Sequence, residues 1–258
     1  MNLRVLIRFL VRRYEFWVAL LVLVLGIWGI RSCGKRDVDK NWQRISAYGI
    51  NFPMLYQLHG FDVSKHNGRI DWQRVATMNA GGVRMRFVYI KATEGATLTD
   101  KQFSQHWKGA GKAGIPRGAY HFYHPTRDPD KQAQNFIKRV TLKPGDLTPA
   151  LDFEVVNGVA DEKLIAGLHQ WLDVIEDHYG IRPIIYTNGS LYRRYIKGNF
   201  DKYPLWIADY SNTHLDTYNS DKLYIWQHSQ SGWVKGIRGA VDINTFVMDS
   251  VRLAELRL

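Results

Sequence analysis

Asp152 and Glu154 stand i, i+2 at the end of the apolar run Leu147–Val155 (LTPALDFEV). On a strand, that spacing sends both carboxylates to the same side at its C-terminal end. Paired acids serve glycosidic bond cleavage, in which one protonates the leaving oxygen and another stabilises or attacks the developing oxocarbenium centre. An isolated D-x-E is as readily a solvated loop or a helix N-cap, so the rest of the chain has to decide. Asp62 follows a short apolar approach in Gly60–Trp72 (GFDVSKHNGRIDW), where Gly68 marks a turn. Asp242 interrupts the apolar run Val241–Phe246 (VDINTF), where an unpaired charge is costly unless it faces a polar cleft. Each of the four carboxylates falls at an expected strand end or within a short strand.

The segments that position these acids alternate. Strand-like runs are expected at 58–63, 86–92, 117–123, 148–154, 183–187, 204–209, 223–227 and 240–246. Helix-length segments follow the first five: 72–79, 100–113, 128–140, 161–179 and a shorter 189–196. The last three strands are too close together for crossover helices. The pattern predicts an α/β fold, an irregular TIM-like barrel of the form (β/α)5(β)3, and such barrels build their sites at the C-terminal ends of strands.

The stretches FDVSKHNGRIDW, YIKATEG, GAYHFYHP, ALDFEV, IIYTN, LWIADY, YIWQHS and VDINTF, in that order over about residues 57–250, together resemble glycoside hydrolase family 25, the Chalaropsis-type lysozymes. The resemblance implies the same barrel and a peptidoglycan muramidase that cleaves the β-1,4 bond between N-acetylmuramic acid and N-acetylglucosamine. It implies Glu154 as the general acid, with Asp152 alongside it to favour the protonated form. Asp152 itself either attacks the anomeric carbon or orients the substrate's 2-acetamido group to do so. Asp62 and Asp242 match the remaining acidic positions, and hold substrate, tune Glu154 or position water. Tyr120, Tyr186 and Trp206 match sugar-contacting positions; Asp209 and Gln227 are further candidates at the cleft. Because Asp152 and Glu154 approach from one strand face, whereas a double-displacement pair must flank the anomeric centre, the expected route is acetamido-assisted with net retention.

Two rival functions remain at this point: hydrolysis of another acetamido-sugar polymer such as chitin, and a non-catalytic peptidoglycan-binding anchor. No cofactor is expected. His121 and His124 invite a metal, but their i, i+3 spacing on a strand points them apart and no further ligands are suitably spaced, so the metal expectation is none. No Gly-rich phosphate loop or G-x-S-x-G elbow is present.

The 258 residues suit one catalytic domain with an extension, 57–258 being the domain. Phe16–Ile30 (FWVALLVLVLGIWGI) is charge-free, and Tyr14, Trp17, Trp28, Arg12, Arg13 and Arg31 can extend it to the head groups. One N-terminal transmembrane helix over 14–31 is expected, preceded by a cytoplasmic 1–13 and followed by a linker over 32–56 with a short helix near 40–48. A cleavable signal peptide competes with this, but no good cleavage site follows. The enzyme is then a monomer, membrane-anchored, with its domain on the extracytoplasmic or periplasmic side and peptidoglycan glycan strands as its partner. Cys33 is the only cysteine, so no intramolecular disulfide can form. Of the net charge of +11, residues 1–60 hold 9 Lys or Arg against 3 acids, about half of the excess. No dense basic stripe or motif suggests nucleic acid.

Overall fold

A computed structural model describes residues 41–211, 215–248 and 250–258. The expected segments 1–13 and 14–31, and Cys33, lie outside the described residues. Among the described residues no helix is long and apolar enough to cross a membrane. The chain divides into two units, Met1–Trp42 and Gln43–Leu258, and the second holds the barrel.

Where a short linker helix is expected, the chain instead forms a hairpin of β1 (Trp42–Ile45) and β2 (Ile50–Pro53). Gly49, at φ 71°, closes its turn. The polar look of this segment hides two aromatic anchors: Tyr48 and Phe52 are fully buried, and the Tyr48 hydroxyl donates to the Val83 carbonyl at 3.1 Å. Phe52 also packs edge-on against His59, with centroids 5.0 Å apart.

The barrel strands follow in order: β3 (Leu58–Val63), β4 (Met85–Glu94), β6 (Arg117–Phe122), β7 (Ala150–Asp152), β8 (Ile184–Asn188), β9 (Leu205–Ala208), β10 (Leu223–Gly232) and β11 (Val241–Phe246), with a two-residue β5 (Leu98–Thr99) flanking β4. Adjacent strands pair in parallel from β3 through β10, and β11 closes the barrel antiparallel to both β10 and β3. The result is a mixed α/β fold with a closed eight-stranded barrel.

The crossover helices are α1 (Trp72–Thr77), α2 (Phe103–Lys112), α3 (Pro129–Arg139) and α4 (Asp161–Tyr179). Local chemistry sets their limits. Asp128 caps α3 by accepting from the Lys131 amide at 2.9 Å, with Pro129 in the first turn. Gly180, left-handed at φ 66°, stops α4. After β8 the expected helix is a single α turn, Gly189–Leu191, continuing into a π turn, Tyr192–Ile196.

Apolar side chains form two cores, one between the strands and the helices and one inside the barrel. Inside, large rings fill slots left by glycine: a Cβ on Gly60 would lie 2.6 Å from the Phe87 ring, and one on Gly118 would lie 2.3 Å from Tyr89. Small and large residues thus alternate around the barrel. At the end opposite the carboxylates the C-terminal tail packs under the barrel: Thr148 N donates to Leu256 O at 2.7 Å, and Leu256 joins the inner core.

Candidate active site

The inward face of each barrel strand repeats every second residue. On β3 this face carries Gly60 and then Asp62; on β7, Ala150 and then Asp152; on β8, Ile184 and then Tyr186. The interior is therefore apolar in depth and turns acidic and aromatic at one mouth. Asp62, Tyr120, Asp152, Glu154, Tyr186, Trp206 and Asp242 line a single narrow pocket of about 100 Å3 there. All four acids of the sequence reading converge in it.

Their placement differs from expectation in one respect. Asp62 and Asp152 are at the C-terminal ends of parallel strands, with Glu154 two residues beyond, whereas Asp242 is the second residue of β11. It reaches the same mouth because β11 runs antiparallel. Hydrophobic periodicity carries no strand direction, so this reversal could not be read from the run VDINTF.

Burial separates the four. Asp62 and Asp152 are buried, Asp242 is partly buried, and Glu154 is exposed at the lip. Of the two surroundings expected for Glu154, burial and a carboxyl neighbour, only the second is found: Asp62, Asp152 and Asp242 share its pocket. Burial pushes the Asp62 carboxyl well above the usual carboxylate range, the Asp242 charge adds to this, and amide hydrogen bonds oppose it. Asp152 is raised by burial and then by Glu154, against the attraction of Lys91. Asp242 is pushed up to about 6 by burial and by Glu154. Asp62, Asp152 and Asp242 thus each hold a proton more readily than an isolated carboxyl does.

Two amides fix Asp62. Gln227 Nε2 and Asn244 Nδ2 both donate to Asp62 Oδ2, each at 2.8 Å. Their own oxygens are held in turn: Trp206 Nε1 donates to Asn244 Oδ1 at 2.8 Å, while the Tyr186 and Tyr210 hydroxyls donate to Gln227 Oε1 at 3.0 and 2.5 Å. With their acceptors occupied, the amides can present only N–H groups to the carboxylate, which leaves its second oxygen for the pocket. Asp152 Oδ1 is different: it is buried and has no hydrogen-bond partner among the described residues.

Seven of the nine expected site residues therefore line the pocket. Gln227, buried behind Asp62, acts through that carboxylate rather than on the cleft. Asp209 is engaged locally, accepting from the Tyr218 hydroxyl at 2.5 Å and from Ser211, while its carbonyl takes Trp226 Nε1 at 2.8 Å. Asn244 was missed, although its i+2 spacing from Asp242 in VDINTF signals the same strand face. Tyr210, directly after Asp209, was missed as well; exposed position gave no signal.

The two histidines are structural. His121 is buried, its Nε2–H donates to Gln132 Oε1 at 3.2 Å, and its Nδ1 accepts from Thr93 Oγ1 at 2.7 Å; burial pushes it down to about 3. That tautomer follows because the Gln132 amide nitrogen is committed to the carbonyls of His124 and Arg127. His124 Nε2 lies 3.1 Å from Glu94. No group of His, Cys, Asp or Glu among the described residues could hold a metal ion.

Comparison with known proteins agrees with this geometry. The family described as glycosyl hydrolases family 25 matches residues 61–237. The uncharacterized protein YegX of Escherichia coli K12 is 38% identical over 205 residues, 80% of this chain and 75% of that one. Lysozyme M1 of Streptomyces globisporus is 31% identical over 215 residues, 77% of this chain and 71% of its own. Among solved structures, a family 25 glycosyl hydrolase from Bacillus anthracis superposes with a TM-score of 0.70 at 29% identity, covering 79% of this chain and 95% of that one. The chain belongs to glycosyl hydrolase family 25, and is a glycoside hydrolase.

Proposed function

We propose that this family 25 glycoside hydrolase is a muramidase, cutting the β-1,4 bond from N-acetylmuramic acid to N-acetylglucosamine in peptidoglycan. The observation that carries the reading is the convergence of four carboxyls and three aromatic side chains in one pocket at the barrel mouth. Relatives named as lysozymes support it. The same convergence disfavours a non-catalytic anchor, for which a full acid set has no use.

Glu154, at the lip where it can exchange protons with water between turnovers, gives its proton to the glycosidic oxygen as that bond breaks. The acetamido oxygen of the muramic acid residue attacks its own anomeric carbon, and the N–H that becomes acidic in the cyclic intermediate donates to Asp152. Asp152 Oδ1, a buried acceptor with no protein partner, suits that role. Water then opens the intermediate, passing its proton to Glu154, so Glu154 is restored and configuration is retained. Asp62, locked by Gln227 and Asn244, and Asp242 hold the sugar and the water. Tyr120, Tyr186 and Trp206 give it apolar and hydroxyl contacts.

The apolar run Phe16–Ile30 supports a single membrane anchor that places this domain on the wall side; retention of the full chain in membranes after carbonate washing tests that. The bond assignment is tested by mass spectrometry of sacculi digested with the full-length protein. Fragments ending in reducing muramic acid are expected. Fragments ending in reducing glucosamine, or cleavage of chitin in preference to sacculi, would overturn it.

A further inference from the structure

A second cleft, of about 750 Å3, opens between the segment that follows β3 and the one that joins β10 to β11. Because β3 and β10 both run parallel to β7, these segments leave the barrel on the side of the carboxylates. One of them starts just after Asp62 and the other ends just before Asp242. The walls are joined: Asp71 N donates to Gly236 O at 2.9 Å, and Gly236, at φ 101°, comes so close that a Cβ there would lie 2.5 Å from the Asp71 carbonyl oxygen. Arg69, Arg74 and Arg238 line this cleft and are exposed.

None of the three guanidinium groups makes an ion pair or a side-chain hydrogen bond among the described residues, although other basic residues of the domain do. The one acid in the lining, Asp71, caps α1 by accepting from the Arg74 amide at 3.1 Å. Three like charges around one concavity repel each other, and the guanidinium fork pairs best with planar oxyanions such as carboxylates. A glycan bound in the pocket lined by Asp62 and Asp242 lies on the same face of the barrel as this cleft, and in peptidoglycan that strand carries peptides rich in carboxylates.

We propose that the Arg69–Arg74–Arg238 cleft is an anchoring subsite for the carboxylates of peptides borne on the glycan, next to the point of cleavage. This rests on the muramidase reading for the substrate, but not for the binding chemistry. The site raises local substrate concentration and weakens with salt, since its contribution is electrostatic.

The test titrates the full-length protein with L-Ala-γ-D-Glu-L-Lys, with the same peptide fully amidated, and with poly(glycerol phosphate), following arginine Nε–Hε signals by NMR. The free carboxylate form is expected to shift the signals of Arg69, Arg74 and Arg238, and the amidated form to leave them in place. The triple variant Arg69→Gln/Arg74→Gln/Arg238→Gln should bind about tenfold more weakly and raise KM on sacculi about tenfold with kcat unchanged. Absence of shifts, equal shifts with the amide, an unaltered KM in the triple variant, or tighter binding of the phosphate polymer would overturn the proposal. If the wild-type protein leaves sacculi uncut, the muramidase reading fails, while the peptide titration still decides the cleft.

Discussion

Asp62 and Asp242 are direct cross-strand partners in the antiparallel pair that closes the barrel. Residues so placed have Cβ atoms about 5 Å apart, and like charges there destabilise a sheet. The fold accepts this by raising the affinity of both carboxyls for a proton and by directing two amide donors at one oxygen of Asp62. A strained electrostatic arrangement kept at the mouth of a stable barrel is what a catalytic site requires.

Asp242→Asn should stabilise the protein in a pH-dependent way. The native carboxyl titrates at about 6 against 3.8 ordinarily, so between these values the native state binds the extra proton. Stability is therefore lost as pH rises through this window, and the full penalty applies above about 6. The variant should gain at most about 3 kcal/mol at pH 8, less for coupling and partial solvent access, and little near pH 4. Melting curves at the two values check this; an equal gain at both, or a loss at pH 8, would refute the sign.

Asn244→Ala removes one donor to Asp62 and orphans Trp206 Nε1, both in buried surroundings. One orphaned indole N–H and one lost hydrogen bond to a carboxyl that keeps its Gln227 donor should together cost about 2–4 kcal/mol in denaturant unfolding. A loss below about 0.5 kcal/mol would mean that the clasp is not structural.

The eight barrel strands are legible because short apolar and β-branched runs bounded by polar breaks are local signals, and every one is found within about five residues of its expected bounds. Gly60 and Gly118 carry the same message in reverse, since their role as slots for Phe87 and Tyr89 depends on neighbours distant in sequence. The hairpin around Gly49 and the tail ending at Leu258 were not legible, because each is held by tertiary partners such as Val83 and Thr148. At the site, residue types identified the acids, but only the antiparallel course of β11 brings Asp242 opposite Asp62. That Gln227 faces Asp62 rather than substrate is likewise a property of closure.

The proposed stereochemical course rests on the placement of Asp152 and Glu154 on one strand and its extension. NMR of the first-formed anomer should show retention, and a 2-fluoro substrate lacking the acetamido group should leave no covalent adduct on Asp152. A glycosyl-Asp152 adduct would replace the assisted route with a covalent one, and inversion would exclude both.

The most direct measurement is the rate of sacculus hydrolysis by Glu154→Gln, with thermal melting alongside. Glu154 is exposed, so the substitution keeps shape and fold while removing the transferable proton. The expected result is a melting temperature no lower than that of the wild type, since the charge that raises Asp152 and Asp242 is gone, and a fall in kcat of about 100-fold or more. Release of muramic-acid-terminated fragments at close to the wild-type rate would contradict it.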